Sequence, residues 1–193
     1  MLFAALGLAA ALVGGELAPA AGQERPPGSS TPSGVYRRPL GNDPETLDPP
    51  RISDTYGRSV AEQIFDGLVQ FDQTLTVSPA LARFWKASRD GLVWTFNLRQ
   101  GVRFHHGREL TSDDVVYSIT RLLDPKLRSG AAERFAMIRG AQAFREGKAS
   151  QVEGLRALDR YTVEVSLTEA FTPFVSVLAV GHAKIVPREL AEA

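Results

Sequence analysis

Apolar positions recur along this chain at two periods. Leu92, Trp94, Phe96 and Leu98 alternate with Val93, Thr95 and Asn97. Successive side chains on a strand point to opposite faces, so this pattern predicts a half-buried strand. Tyr161, Val163, Val165 and Leu167 alternate with Thr162, Glu164 and Ser166 in the same way. Elsewhere the period is helical. Val60, Ala61, Ile64, Phe65 and Leu68 predict a helix over about residues 55–66, capped by Ser53 or Asp54 and stopped by Gly67. Val115, Ile119 and Leu122 line one face of a second helix over residues 112–123. Thr111 caps it, and Asp114 three residues on makes an acidic version of the capping box. Asp124-Pro125 ends it, because the residue before a proline is driven out of the helical region.

Weaker signals fill the intervals. Residues 35–40 read as a short strand, and residues 41–51 as a loop set by three prolines and a Gly-Asn pair. Residues 68–72 are a short strand beside a turn at 72–75. Residues 78–85 run on to 86–89 with no pattern that assigns an element. Hairpin turns fall at 89–91 and 99–101, and His106-Gly107 closes another. Residues 131–138 and 141–146 predict helices broken at Gly140, and residues 151–158 a strand. Thr172-Pro173 starts a helix running to about Val180 by the cap-then-proline rule. Residues 184–187 are extended, and a helix begins at Pro187. Helices and hairpins are mixed without regular β-α-β alternation. The fold class is therefore α+β, or α/β with an antiparallel subdomain.

The N-terminus carries a different message. Residues 2–15 are an unbroken run of 14 apolar and small residues, short of the ~20 that a membrane-spanning helix needs. Ala18-Pro19-Ala20 then supplies the small-x-small form read by signal peptidase. The expectation is a signal peptide over residues 1–20, cleaved near Ala20, although no Lys or Arg precedes the apolar run. Residues 21–34 are rich in Pro, Gly and Ser and predict a flexible leader. The folded part is expected from Val35 onward.

Charge and composition narrow the chemistry. Lys+Arg and Asp+Glu both total 22, so the chain has no general pull on phosphate backbones, and nucleic acid is not an expected partner. The absence of cysteine excludes disulfides, thiolate metal sites and a Cys nucleophile. His105 and His106 are neighbours, and neighbours on a strand face opposite ways, so the expectation is turn residues and no metal site. Asp113 and Asp114 meet the free N–H groups and positive dipole end of the second helix, which accounts for them without catalysis. No nucleophile elbow, phosphate loop, dinucleotide fingerprint or His-Glu-x-x-His motif occurs. No cofactor and no catalytic residue are expected.

Several motifs, in order and in register, do carry a resemblance. They are "TLDP" (46–49), "EQIFDGLVQFD" (62–72), "SPALARFWKASRDGLVWTFNLRQGVRFHHGRELTSDDVVYSITRLLDP" (78–125) and "VEGLRALDRYTVEVSLTEAFTPFVSVLA" (152–179). Across about residues 35–187 the chain resembles the extracellular solute-binding proteins of family 5, the dipeptide- and oligopeptide-binding group serving ABC importers. Departures are small. Asp66 stands where Glu is usual, Ser112 where Ala is usual, and His106 where Asp or Asn is frequent.

The resemblance implies the N-terminal lobe of a two-lobed periplasmic-binding-protein type II fold with an antiparallel subdomain, incomplete over residues 35–193. It implies a non-enzymatic, periplasmic receptor whose partners are a peptide or other small solute and the membrane permease subunits of an ABC importer. Family members are much longer, which implies a fragment, a truncated gene product or one piece of a split protein. The aspartate that grips a peptide's amino terminus belongs to the second lobe and has no counterpart here. The loop after Leu-Asp-Pro faces the cleft in such proteins, and its matching positions are Ser53, Asp54 and Thr55. Ser53 and Asp54 also suit capping of the next helix. The segment Ser129, Gly130, Ala131, Ala132 is a further approach, through its backbone. Three other readings stay open: the ligand-sensing domain of a regulator, part of an exported hydrolase, and a piece with no activity of its own.

Overall fold

Four antiparallel strands in the order β3-β4-β6-β5 form the main sheet of the computed structural model, which describes residues 39–192. The strands are β3 (Ala82–Ala87), β4 (Val93–Leu98), β5 (Leu155–Asp159) and β6 (Thr162–Ser166). The expected signal peptide, the leader and the expected start of the folded part at Val35 lie outside the described residues, and Pro39 and Leu40 are not in a strand.

The two alternating runs become the central pair, β4 and β6. Their register sets Trp94 against Val165 and Phe96 against Val163, so both apolar faces fall on one side. Phe96, Val163 and Val165 are completely buried there. Helix α2 (Ser112–Leu123) covers that side, packing on β5 and β6 with Val115, Ile119, Leu122 and Leu123 buried. Each such side chain taken from water contributes about 1.5–3 kcal/mol before chain entropy is counted. The helix begins and ends where its signals place it.

β3 is the strand that no pattern announced. It lies at the sheet edge, and its register slips between Ala82 and Phe84, which breaks the alternation. Arg83, Phe84, Lys86 and Ala87 are all exposed, so little selects for apolar residues on a fixed face.

A separate hairpin joins β1 (Val69–Phe71) to β2 (Val77–Pro79). Its turn is held by Asp72, whose carboxylate accepts from the Thr74 and Thr76 N–H groups at 2.8 and 3.0 Å. Before it, helix α1 (Thr55–Ile64) stops earlier than expected: Phe65 is already extended at φ −124°, ψ 141°. Gly67 is therefore not the helix stop. It instead forms an isolated antiparallel bridge with Lys184, and Ile185 N–H donates to Asp66 O at 2.9 Å. That pairing returns the 180s to the exit of α1.

The segment after α2 is less helical than its sequence predicts. Within residues 131–146, where two helices were expected, only a 3-10 turn, Ala132–Phe135, and the short helix α3 (Ala141–Arg145) form. Gly140 divides them at φ 78°, where a Cβ would lie 2.8 Å from the Glu153 nitrogen. The strand expected over 151–158 is confined to β5. Helices α4 (Phe174–Leu178) and α5 (Arg188–Ala191) complete the described chain. Phe174 packs on Trp94 with ring centroids 5.9 Å apart, tying α4 to the sheet.

Candidate functional site

The loop of residues 52–55 is set by its two ends. A 3-10 turn, Pro49–Arg51, precedes it, and the Asp54 carboxylate accepts from Gly57 N–H at 2.7 Å, which starts α1. Between these anchors Ile52 is buried, while Ser53 and Thr55 are exposed. Gly57 lets the loop close down, because a Cβ there would stand 3.0 Å from both Asp54 Oδ2 and Thr46 O. Asp54 Oδ2 itself is buried and has no hydrogen-bond partner.

His182 braces this loop from a distant part of the chain. Its Nε2 lies 3.0 Å from the Ile52 carbonyl, which can only accept, so the proton is assigned to Nε2. Nδ1 is then a buried acceptor with no partner. Burial, first, holds the imidazole's pKa below its ordinary value, and the nearby Arg58 and Arg134 cations lower it further. Two residues on, the buried Lys184 donates to Glu62 on α1 at 2.7 Å. Gly181 permits the approach, since a Cβ would fall 2.8 Å from Glu62 Oε1 and 3.4 Å from Arg58 Cγ. These brackets fix the backbone of residues 52–55 relative to α1.

A groove of about 560 Å³ lies on other residues. Leu47, Ile64, Phe65, Phe104 and Leu190 give it an apolar wall, and Ser53, Asp54 and Thr55 are not among its lining residues. Across it, Arg121 forks onto Asp48 with contacts of 2.6 and 2.9 Å. That hydrogen-bonded carboxylate raises the Arg121 pKa.

Both His105 and His106 line this same groove, because they occupy a turn and not a strand. The turn placement is the one their sequence setting predicts. His106 Nε2 contacts Glu189 at 2.8 Å, and its ring stacks on Phe104 at 5.7 Å between centroids. Arg108 joins them, donating to Glu189 and, at 2.9 and 2.6 Å, to both oxygens of Asp114. The Arg108 guanidinium holds the Glu189 carboxyl down to about 2. Asp114 also accepts from Thr111 N–H at 2.9 Å, so its carboxylate both caps α2 and locks the 103–109 turn to it. The capping signal was readable in the sequence. The Arg108 and Glu189 partners were not, since they are set by how α5 returns over the turn.

Ser129 and Ala132 border a second, smaller concavity of about 400 Å³, with Arg128, Glu133 and Arg145 beside them. Glu133 and Arg145 pair there at 2.7 Å.

Comparisons with known proteins agree on one family. Residues 76–192 match the model of bacterial extracellular solute-binding proteins, family 5 Middle. The chain is 31% identical over 198 residues to the periplasmic oligopeptide-binding protein OppA of Escherichia coli, covering 97% of this chain and 35% of that one. It is 34% identical to the probable deoxycholate-binding periplasmic protein YgiS of Escherichia coli, covering 77% of this chain and 28% of that one. The solved complex of Haemophilus influenzae OppA with RPPGFSPFR superposes with a TM-score of 0.74 at 29% identity, over 79% of this chain and 30% of that one. The chain thus spans about a third of the length of the curated relatives it matches.

Proposed function

Because the chain belongs to the bacterial extracellular solute-binding proteins of family 5 and shares part of the periplasmic-binding-protein fold, we propose that it is part of the receptor of an ABC importer. Its solute is a peptide or a similar small molecule, captured outside the inner membrane and passed to the importer's permease subunits. No bond is made or broken in this role. The signal-peptide pattern over residues 1–20 supports export to the periplasm.

The loop with Ser53, Asp54 and Thr55 is the contact we assign to this side of the cleft. One observation carries the assignment: the loop's backbone is clamped by the Asp54 cap and the His182 bond, while Ser53 and Thr55 stay open to solvent. A pre-set backbone beside an extended ligand offers hydrogen bonds that do not depend on the ligand's side chains. Closure would then follow from contacts available only when both sides meet the solute.

Titrating the isotope-labelled chain with trialanine tests the proposal. The amide resonances of Ser53, Asp54 and Thr55 are expected to move together with increasing peptide. Movement confined to the groove under α5 would remove the loop from the site, and no movement anywhere would remove the peptide-receptor reading.

A further inference from the structure

The main sheet is open along β3, which is paired on one side only, in the order β3-β4-β6-β5. We propose that this edge docks an acidic, extended segment of a partner protein, which adds to the sheet as a further strand. The site uses none of the contact-loop residues and goes beyond the receptor reading.

The register fixes which backbone groups the edge leaves free. Ser88 N–H donates to Val93 O at 2.8 Å, and the pairing runs on through Lys86 with Thr95 and Phe84 with Asn97. Bonded and unbonded pairs alternate along an antiparallel ladder. Ser88, Lys86 and Phe84 therefore turn their N–H and C=O groups to β4. Trp85 and Ala87 turn theirs outward, to the open edge. Helix α2 packs on β5 and β6, toward the other edge. An open row of backbone groups is a template for one more strand.

The side chains around that row select which strand. Over residues 80–99, Arg83, Lys86, Arg89 and Arg99 stand against one acid, Asp90, although the chain as a whole is balanced. These cations are all exposed, and none is paired with a carboxylate among the described residues. Asp90 is engaged in its own turn, where it accepts from Leu92 N–H at 3.0 Å. Phe84, 51% exposed on the same face as Lys86, adds an apolar contact. Opposite charges across a strand pair attract, and like charges repel. A second copy paired antiparallel about Lys86 would set that lysine against itself and bring Arg83 toward Arg89. The cations that repel a copy of this edge attract an acidic strand. An anionic membrane surface would also attract them, but it offers no ladder of partners to the outward N–H and C=O groups.

The test is NMR titration of the isotope-labelled full chain with two end-blocked peptides, acetyl-Glu-Val-Glu-Val-Glu-amide and its Lys-for-Glu counterpart. The acidic peptide is expected to shift the Trp85 and Ala87 amides and to slow their exchange with solvent. It should bind about tenfold tighter than the basic one, since several exposed ion pairs are at stake. Ala87→Pro removes an outward donor and leaves the bonds to β4 in place, so the response at Trp85 should disappear. The double variant Arg83→Gln, Lys86→Gln keeps the backbone and should weaken the acidic peptide by about tenfold. It decides the matter if Ala87→Pro does not fold. Equal binding of the two peptides, a response that survives Ala87→Pro, or an unchanged affinity in the double variant would overturn the site. Shifts confined to Ser53, Asp54 and Thr55 would overturn it while leaving the receptor reading intact. A response at Trp85 and Ala87 to phosphatidylglycerol vesicles and to neither peptide would assign the patch to lipid and overturn it too.

Discussion

His182 and Asp114 are each one residue holding two segments together, and they differ in what sequence alone can say of them. Asp114 sits three residues after Thr111, and that spacing announces a cap. His182 is 130 positions from Ile52, and no local pattern joins them. Its burial has a consequence for pH. The folded-state pKa lies below the ordinary 6.5, so the unfolded chain takes the proton first as pH falls. This contribution to stability is complete above pH 6.5 and is lost as pH drops below it, toward the folded-state value. Urea midpoints across that range should fall in the wild type. They should fall less in His182→Gln, and parallel profiles for the two proteins would refute this account.

At the scale of elements, an amphipathic pattern survives wherever one face is buried. β4, β6 and α2 press apolar faces into a common core, so their periods were legible to within a residue or two. β3 was illegible because an edge strand with a bulge imposes no steady alternation. The end of α1 was misplaced because Gly67 is used in a bridge to Lys184, a demand invisible from its neighbours. The β1–β2 turn holds a local conflict. Leu75 has φ 60° and is 79% exposed, so it bears left-handed strain and gains no burial. Leu75→Asn keeps the turn, tolerates that conformation and should stabilise the protein by about 0.5–1 kcal/mol. A raised denaturation midpoint with unchanged slope is the expected readout.

For the whole molecule, the described residues present the proposed contact loop on an open face and not within an enclosed cavity. Affinity for small solutes comes from burying most of the ligand, which one face does not do. The 193-residue chain by itself is therefore expected to bind trialanine with Kd weaker than about 1 mM. Calorimetry giving micromolar affinity would show that this side needs no opposing one. Sequence alone determined the central strands, the capped helix, the mixed α and β class and the family, because these follow from local periodicity, capping chemistry and motif order. Only the tertiary structure decided that His105 and His106 share a groove, that Arg108 bridges Asp114 to Glu189, and that His182 bonds the Ile52 carbonyl. Those relations join residues distant along the chain. They exist only once the 180s have folded back on α1 and on the turn before α2.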